Sequence, residues 1–376
     1  MSVIHVDFAW DLGEFDYDND EFEIRGTYDD RYLHYVGTKT KGEDILIPDG
    51  IRNCESMFAG CTSLETAPSI PSSVKCCRSM FEGCKSLVNA PEIPEGVTDC
   101  SWMFCGCRSL EVGPDIPSIV KDCAYMFCDC SSLKVAPEIP ESVKGCVYMF
   151  SNCSSLKVAP VLPDGITQCR SMFYGCTSLE VAPKIPVSPY NWSCESMFEG
   201  CTSLKVAPEI PETIHDCTRM FAGCTSLELV PIIPETIHDC TRMFAGCTSL
   251  ELAPIIPDRV TCCESMFEGC TSLKVAPEIP ESVDDCTRMF EGCTSLKIAP
   301  IIPSSVKNCN FMFKDCTSLL ETPVLPDGIK HCRSMFEGCT SLKIAPEMVP
   351  TGIWDYTDMF KDCTSLKNRP IVLIVL

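Results

Sequence analysis

Residues 286–296 read Cys286-Thr287-Arg288-Met289-Phe290-Glu291-Gly292-Cys293-Thr294-Ser295-Leu296, and variants of this stretch recur fourteen times in the 376-residue chain. The Met-Phe pair ends at Phe58, Phe81, Phe104, Phe127, Phe150, Phe173, Phe198, Phe221, Phe244, Phe267, Phe290, Phe313, Phe336 and Phe360. The step is 23 residues, broken only by 25 between Phe173 and Phe198 and 24 between Phe336 and Phe360. A fixed period of this size is the signature of stacked supersecondary units, each burying its apolar face on its neighbours. Within the stretch, Cys286, Met289, Phe290 and Cys293 fall at i, i+3, i+4 and i+7, the stripe of a two-turn helix. Asp285 precedes it where an N-cap belongs, and Asp, Asn or Ser holds that position in nine of the fourteen repeats; such side chains accept from the first helical N–H groups. Gly292 stands where helices turn left-handed.

Working outward, Leu273-Lys274-Val275-Ala276-Pro277-Glu278-Ile279-Pro280 alternates. Leu273, Val275, Pro277 and Ile279 share one side, which predicts an extended segment with that side buried. The recurring proline cannot donate a ladder bond, so strands of two to four residues are expected. Each repeat therefore reads as a short strand, a corner and a short helix, an α/β repeat of about 14 turns with parallel strands on one face and helices on the other. Parallel crossovers of this kind are right-handed. The array is expected to span 48–370, the two extra residues at Val187–Trp192 bulging at a corner.

Residues 1–47 lack the repeat. Alternation at Ile4–Leu12 and the runs Glu21–Arg25 and Arg31–Val36, around a turn at Gly26–Asp30, predict an N-terminal β cap over the open end of the stack. Ile371–Leu376 is expected to add a C-terminal capping strand, after an atypical last repeat with Trp354 and Tyr356. The acidic run Asp16–Glu21 lacks the glycine and closing glutamate of a calcium loop and reads as a solvated turn.

Fifty-two acidic residues against thirty basic ones give a formal charge of −22. Nucleic-acid binding draws on phosphate neutralisation by Lys and Arg, so this balance argues against it, as it does against an anionic membrane surface. The apolar run at Ile371–Leu376 is too short to cross a bilayer. The start shows no basic n-region or long apolar core, and the 31 cysteines are an odd count. Both point to a reducing compartment.

The frame Leu296-x-x-Ala299-Pro300-x-Ile302-Pro303-x-x-Val306-x-x-Cys309-x-x-Met312-Phe313-x-x-Cys316 resembles the BspA-like class of leucine-rich repeats. The Met-Phe-x-Gly-Cys-x-Ser-Leu core is also similar to repeats of mycoplasma and Bacteroidetes surface proteins. The resemblance implies a right-handed leucine-rich-repeat solenoid and no catalytic residues. Its members occur as surface proteins and adhesins of bacteria and protozoa, and in large DNA viruses. Here Ala and Ile stand at +3 and +6 from Leu, with Pro at +4 and +7, whereas the commoner frame has strand residues at +3 and +5 and Pro at +6.

Candidate sites follow from columns that change along the array. The +5 column holds Glu92, Asp115, Glu138 and Glu209, then Ile232, Ile255, Ile301 and Val324, interrupted by Glu278. Strict alternation exposes it and makes an apolar, acid-flanked stripe suited to protein binding; the shifted register buries it as core. The main cysteine columns, typified by Cys286 and Cys293, read as buried thiols. Cys105 and Cys128 occupy a column that is otherwise mostly Glu, Lys, Ala or Ser, and the expectation is an exposed pair one turn apart, read first as free thiols and second as a disulfide, whose range they are within. With Cys107 and Cys130 they could surround a metal, but paired Cys-x-Cys side chains diverge, so no metal is expected. His215 and His238 stack inside a duplicated segment. No nucleophile has a paired base, so no catalytic residue, cofactor or enzyme activity is expected. The expected function is a protein-binding scaffold or assembly component, inside a cell or in a large virus particle, with a cell-surface adhesin as the alternative and a thiol or metal buffer as a third.

Overall fold

The computed structural model describes residues 26–28, 31–33, 45–187, 192–346, 350 and 352–367. The chain divides into two compact units, Met1–Leu179 and Glu180–Leu376. The expected strand at Ile4–Leu12, the run Glu21–Arg25, the acidic run Asp16–Glu21 and the segment Ile371–Leu376 lie outside the described residues.

Among the described residues there is no helix, which corrects the helical half of each repeat. The hydrogen bonds of residues 286–296 show what replaces it. The Met289, Glu291, Cys293 and Leu296 N–H groups donate three residues back, to the Cys286, Arg288, Phe290 and Cys293 carbonyls. Those of Cys286, Arg288, Phe290 and Gly292 donate into the next repeat, to Asn308, Asn310, Met312 and Lys314, at 2.8–2.9 Å. Thr294 donates to Gly292 O and Ser295 back to Thr271 O, and the Thr287 N–H goes to Asp285 Oδ1 at 2.8 Å. Every backbone N–H of the stretch is thus satisfied, by consecutive tight turns, the neighbouring repeats and the Asp285 side chain. An isolated eight-residue helix is marginal, and stacking offers its N–H groups better partners. Successive turns place Cys, Met, Phe and Cys inward at nearly helical spacing, which is why the stripe resembled a helix.

Each such run needs two left-handed residues. Arg288 has φ 56 and Gly292 φ 74, each at the third position of a turn. Gly292 has the conformation expected, in a turn rather than a helix end. The Arg288 column is left-handed in all fourteen repeats without a glycine, at roughly 1 kcal/mol each. Side-chain stacking offsets that cost, as where the Arg288 guanidinium lies 4.5 Å from the Phe311 ring centre. The nine Asp, Asn or Ser residues at the expected cap position each accept from the N–H two residues on, at 2.8–3.2 Å. The acceptor chemistry is as expected, but it forms Asx-type turns.

The extended half is equally sparse. In unit 1 single-residue parallel bridges link Asn53, Cys76, Asp99, Asp122, Gly145 and Gln168 in succession; in unit 2 they link Asp239, Cys262, Asp285, Asn308, His331 and Asp355. A second bridge column runs through Thr66, Asn89, Val112 and Val135. Two hairpin strands, β1 (Gly26–Tyr28) and β2 (Arg31–Leu33), pair antiparallel in unit 1, so β1 occupies residues expected to turn. In unit 2, β3 (Trp192–Ser193) pairs parallel with β4 (Ile214–Asp216), with a register irregularity between Trp192 and Ser193.

The core is a set of columns. In one repeat Leu296, Val306, Cys309, Met312, Phe313 and Cys316 are fully buried and Ile302 nearly so. Phenylalanines stack along each unit with ring centres 5.3–5.7 Å apart in unit 1 and 5.4–5.9 Å in unit 2, planes within 9°. Offset stacking of this kind adds about 0.5–1.5 kcal/mol per pair to the burial of each ring. Val275, expected inside with Leu273 and Ile279, is 60% exposed. With proline on either side of Ile279, only Leu and the +6 residue of this segment reach the core.

Candidate functional site

The two main cysteine columns are buried as expected, half-buried Cys363 excepted, and the second also donates hydrogen bonds. In twelve repeats the second cysteine's thiol donates to the Phe carbonyl of the preceding repeat at 3.0–3.2 Å. That carbonyl already accepts a turn N–H: Phe267 O takes the Cys270 N–H and the Cys293 thiol, both at 3.1 Å. Burial pushes the Cys224, Cys240 and Cys270 thiols up to about 12. They are poor nucleophiles at neutral pH.

The +5 column is exposed. Ile232, Ile255, Ile301 and Val324, all in unit 2, are 87–89% accessible. The +2 column adds Leu229, Leu252, Val275 and Ile298 beside it, each at least 60% accessible. That second column was misassigned to the core; its signal was the proline two residues on, which ends the alternation. Hollows flank it. One of about 330 Å³ is lined by Ala276, Pro277, Glu278, Ile279, Glu281 and Ile301 among others. Another of about 320 Å³ lies between Lys297, Ile298, Leu320 and Glu321. Large aliphatic groups so exposed in neighbouring repeats mark a contact surface.

Cys105 and Cys128, in unit 1, are 8% and 9% accessible, so their column lies at the edge of the core, correcting the exposed placement. The sulfurs of the pair and a carboxylate oxygen of Asp129 lie within 4.8 Å of one another. The Cys105 thiol hydrogen-bonds the Cys128 sulfur, raising the first group and lowering the second below its ordinary range against the effect of burial. Cys107 and Cys130, fully buried, donate instead to Phe81 and Phe104 carbonyls. Asp129 sits left-handed, φ 59, where most repeats have glycine, and accepts from Asn152 Nδ2 at 2.8 Å. Beside the pair, Trp102, Tyr125 and Tyr148 stack with centres 3.9 and 4.9 Å apart. Asp129 and these aromatics were missed, although Trp102, Tyr125 and Asp129 break their columns in the same repeats as the cysteines and Tyr148 in the next one. His215 and His238 are exposed, and the His238 ring contacts Arg259 O at 3.1 Å.

A family model described as a BspA type leucine-rich repeat region, in six copies, matches residues 51–180, 118–251, 173–297 and 260–371. The chain is similar in structure to a leucine-rich repeat protein from Bacteroides ovatus ATCC 8483, at 24% identity and TM-score 0.59, over 91% of this chain and 90% of that one. It is also similar to a leucine rich cell surface protein from Faecalibacterium prausnitzii A2-165, at 21% identity and TM-score 0.47, over 73% of this chain and 85% of that one. No curated protein matches the chain.

Proposed function

Because the chain belongs to the BspA type leucine-rich repeat family, we propose that it is a non-enzymatic protein-binding scaffold whose contact surface is the aliphatic stripe of unit 2. The exposure of Ile232, Ile255, Ile301 and Val324 carries this reading. Glu278 and Glu281 line the hollow beside Ile301, and the chain's charge is −22. The partner is therefore a protein segment with apolar side chains flanked by Lys or Arg, and it need not be rigid.

A reducing location, a cell interior or a virus particle, fits the thiol chemistry. A sulfur that donates to a carbonyl must keep its hydrogen, which a disulfide sulfur lacks. The alternative, a surface adhesin, would expose the same stripe outside the cell. Counting reactive thiols in unfolded protein taken directly from its source separates the two. Nearly all 31 free supports the scaffold; extensive disulfides favour the adhesin.

The binding test compares the proteins retained by the full chain and by a folded Ile255→Glu/Ile301→Glu variant. The expected result is a set of partners reduced about tenfold on the variant, as for truncated interface anchors worth over 1 kcal/mol. Identical sets would remove the stripe as the binding surface.

A further inference from the structure

We propose that Cys105 and Cys128 form a redox site in unit 1 that closes to a disulfide between adjacent repeats when a peroxide supplies the oxidising equivalents. Independently of the stripe in unit 2, the placement of these two side chains carries it. Cysteines one repeat apart are common here, since both main columns stack thiol on thiol. Those columns are enclosed, and the second is tied up by bonds to Phe carbonyls. Cys105 and Cys128 keep a small accessible area, 8% and 9%, and their sulfurs lie within 4.8 Å of each other and of an Asp129 carboxylate oxygen. Residues one rung apart in a parallel stack lie about 4.8 Å apart, inside the Cα range a disulfide spans.

The chemistry follows from the polarity of the pair. The two sulfurs are close enough for one thiol to donate to the other and favour its thiolate, and we assign the attacking role to Cys128, which the Cys105 bond draws down, as in dithiol sites where one thiol supports the other. The Cys128 thiolate attacks one peroxide oxygen. The O–O bond breaks, hydroxide leaves, and Cys128 becomes a sulfenic acid. The Cys105 sulfur then attacks the Cys128 sulfur. The S–O bond breaks, hydroxide leaves and takes up the Cys105 proton, and the S–S bond forms. The first hydroxide takes the proton that Cys128 gave up and the second takes that of Cys105, so the two thiols lose two protons and two electrons, hydrogen peroxide is reduced, and two waters result. Asn152, bonded to Asp129, holds the carboxylate at the edge of the site.

The test treats the reduced full chain with hydrogen peroxide under native conditions, blocks remaining thiols and maps the products by mass spectrometry. The expected first product is a Cys105–Cys128 disulfide, reversed by dithiothreitol, forming at least about tenfold faster than oxidation at half-buried Cys76. Cys105→Ala should arrest the reaction at a Cys128 sulfenic acid that a sulfenate-trapping reagent captures; Cys128→Ala should leave Cys105 reduced. Alanine already occupies this column at Ala59, Ala222 and Ala245, so both variants are expected to fold, and the wild-type map stands without them. Oxidation of Cys76 or Cys262 first, sulfinic acid at Cys128 with Cys105 still free, or a zinc ion held by the native pair and released by Cys128→Ala would each overturn the proposal.

Discussion

Replacing Cys293 tests whether the second cysteine column is filled for its size or for its hydrogen. The side chain is fully buried and its thiol donates to Phe267 O at 3.1 Å. Cys293→Ala removes a group about as large as a methylene, worth about 0.8 kcal/mol, and one hydrogen bond, worth about 1 kcal/mol. The loss should be about 2 kcal/mol. Cys293→Ser keeps a donor aimed at the same carbonyl and should lose about 1 kcal/mol. A purely apolar column reverses the order, because a buried hydroxyl with no partner costs a further 1–3 kcal/mol or so. Urea unfolding of the three proteins gives the ranking from midpoints, provided the m-values agree. Repeat arrays unfold in parts, so amide exchange at Cys270, whose N–H shares the Phe267 acceptor, supplies the local reading. Serine ranking below alanine would refute the hydrogen-bond account.

Ile255, 88% exposed, should tolerate Ile255→Glu with a change in stability within about 0.5 kcal/mol, checked by thermal melting. Phe267→Ala should cost about 3–5 kcal/mol and raise amide exchange in the repeats it stacks on, centred on Phe244 and Phe290; exchange confined to residue 267 would contradict the column. Gly338→Ala meets both a left-handed backbone, φ 76, and the Asp315 side chain, so a loss of about 1–2 kcal/mol is expected in urea, more than for Gly292→Ala, whose added methyl finds ordinary contacts. Thiols such as Cys224 and Cys270, near 9.0 ordinarily and about 12 in the fold, stay neutral when folded. Their contribution is complete below pH 9 and is lost as pH rises towards 12, at about 1.4 kcal/mol per pH unit for each thiol. A flat alkaline stability profile would contradict that burial.

The period, the buried columns and the stacking were legible because one pattern repeats fourteen times. The helix was misread because inward residues at i, i+3, i+4 and i+7 serve two backbones equally well. What decides between them is the partner of alternate N–H groups such as Arg288 and Phe290, and that partner lies 22 residues away. The left-handed Arg288 column was invisible for a related reason: Ser, Arg, Trp, Tyr, Phe and Asp occupy it, and none announces positive φ. In the candidate sites, alternation alone could not fix the +5 column. Exposure of Ile255 follows from the two prolines around Ile256, which break the regular strand. Cys105 was located by its column, but its burial depends on neighbours from other repeats.

The direction of the hydrogen bonds between repeats has an electrostatic consequence. In residues 133–155, the N–H groups of Cys146, Tyr148, Phe150 and Asn152 point towards the following repeat. Those of Lys134, Val135, Lys144 and Gly145 point towards the preceding one, as do the hydrogens of Ser142, Cys153 and Ser154. Peptide dipoles on one side of each layer therefore oppose those on the other. A helix accumulates about half a charge at each end from aligned dipoles; a stack built this way largely cancels its own field. Each unit can add layers without an end charge to neutralise, and its long-range field is left to the side chains, which over the whole chain carry a net charge of −22.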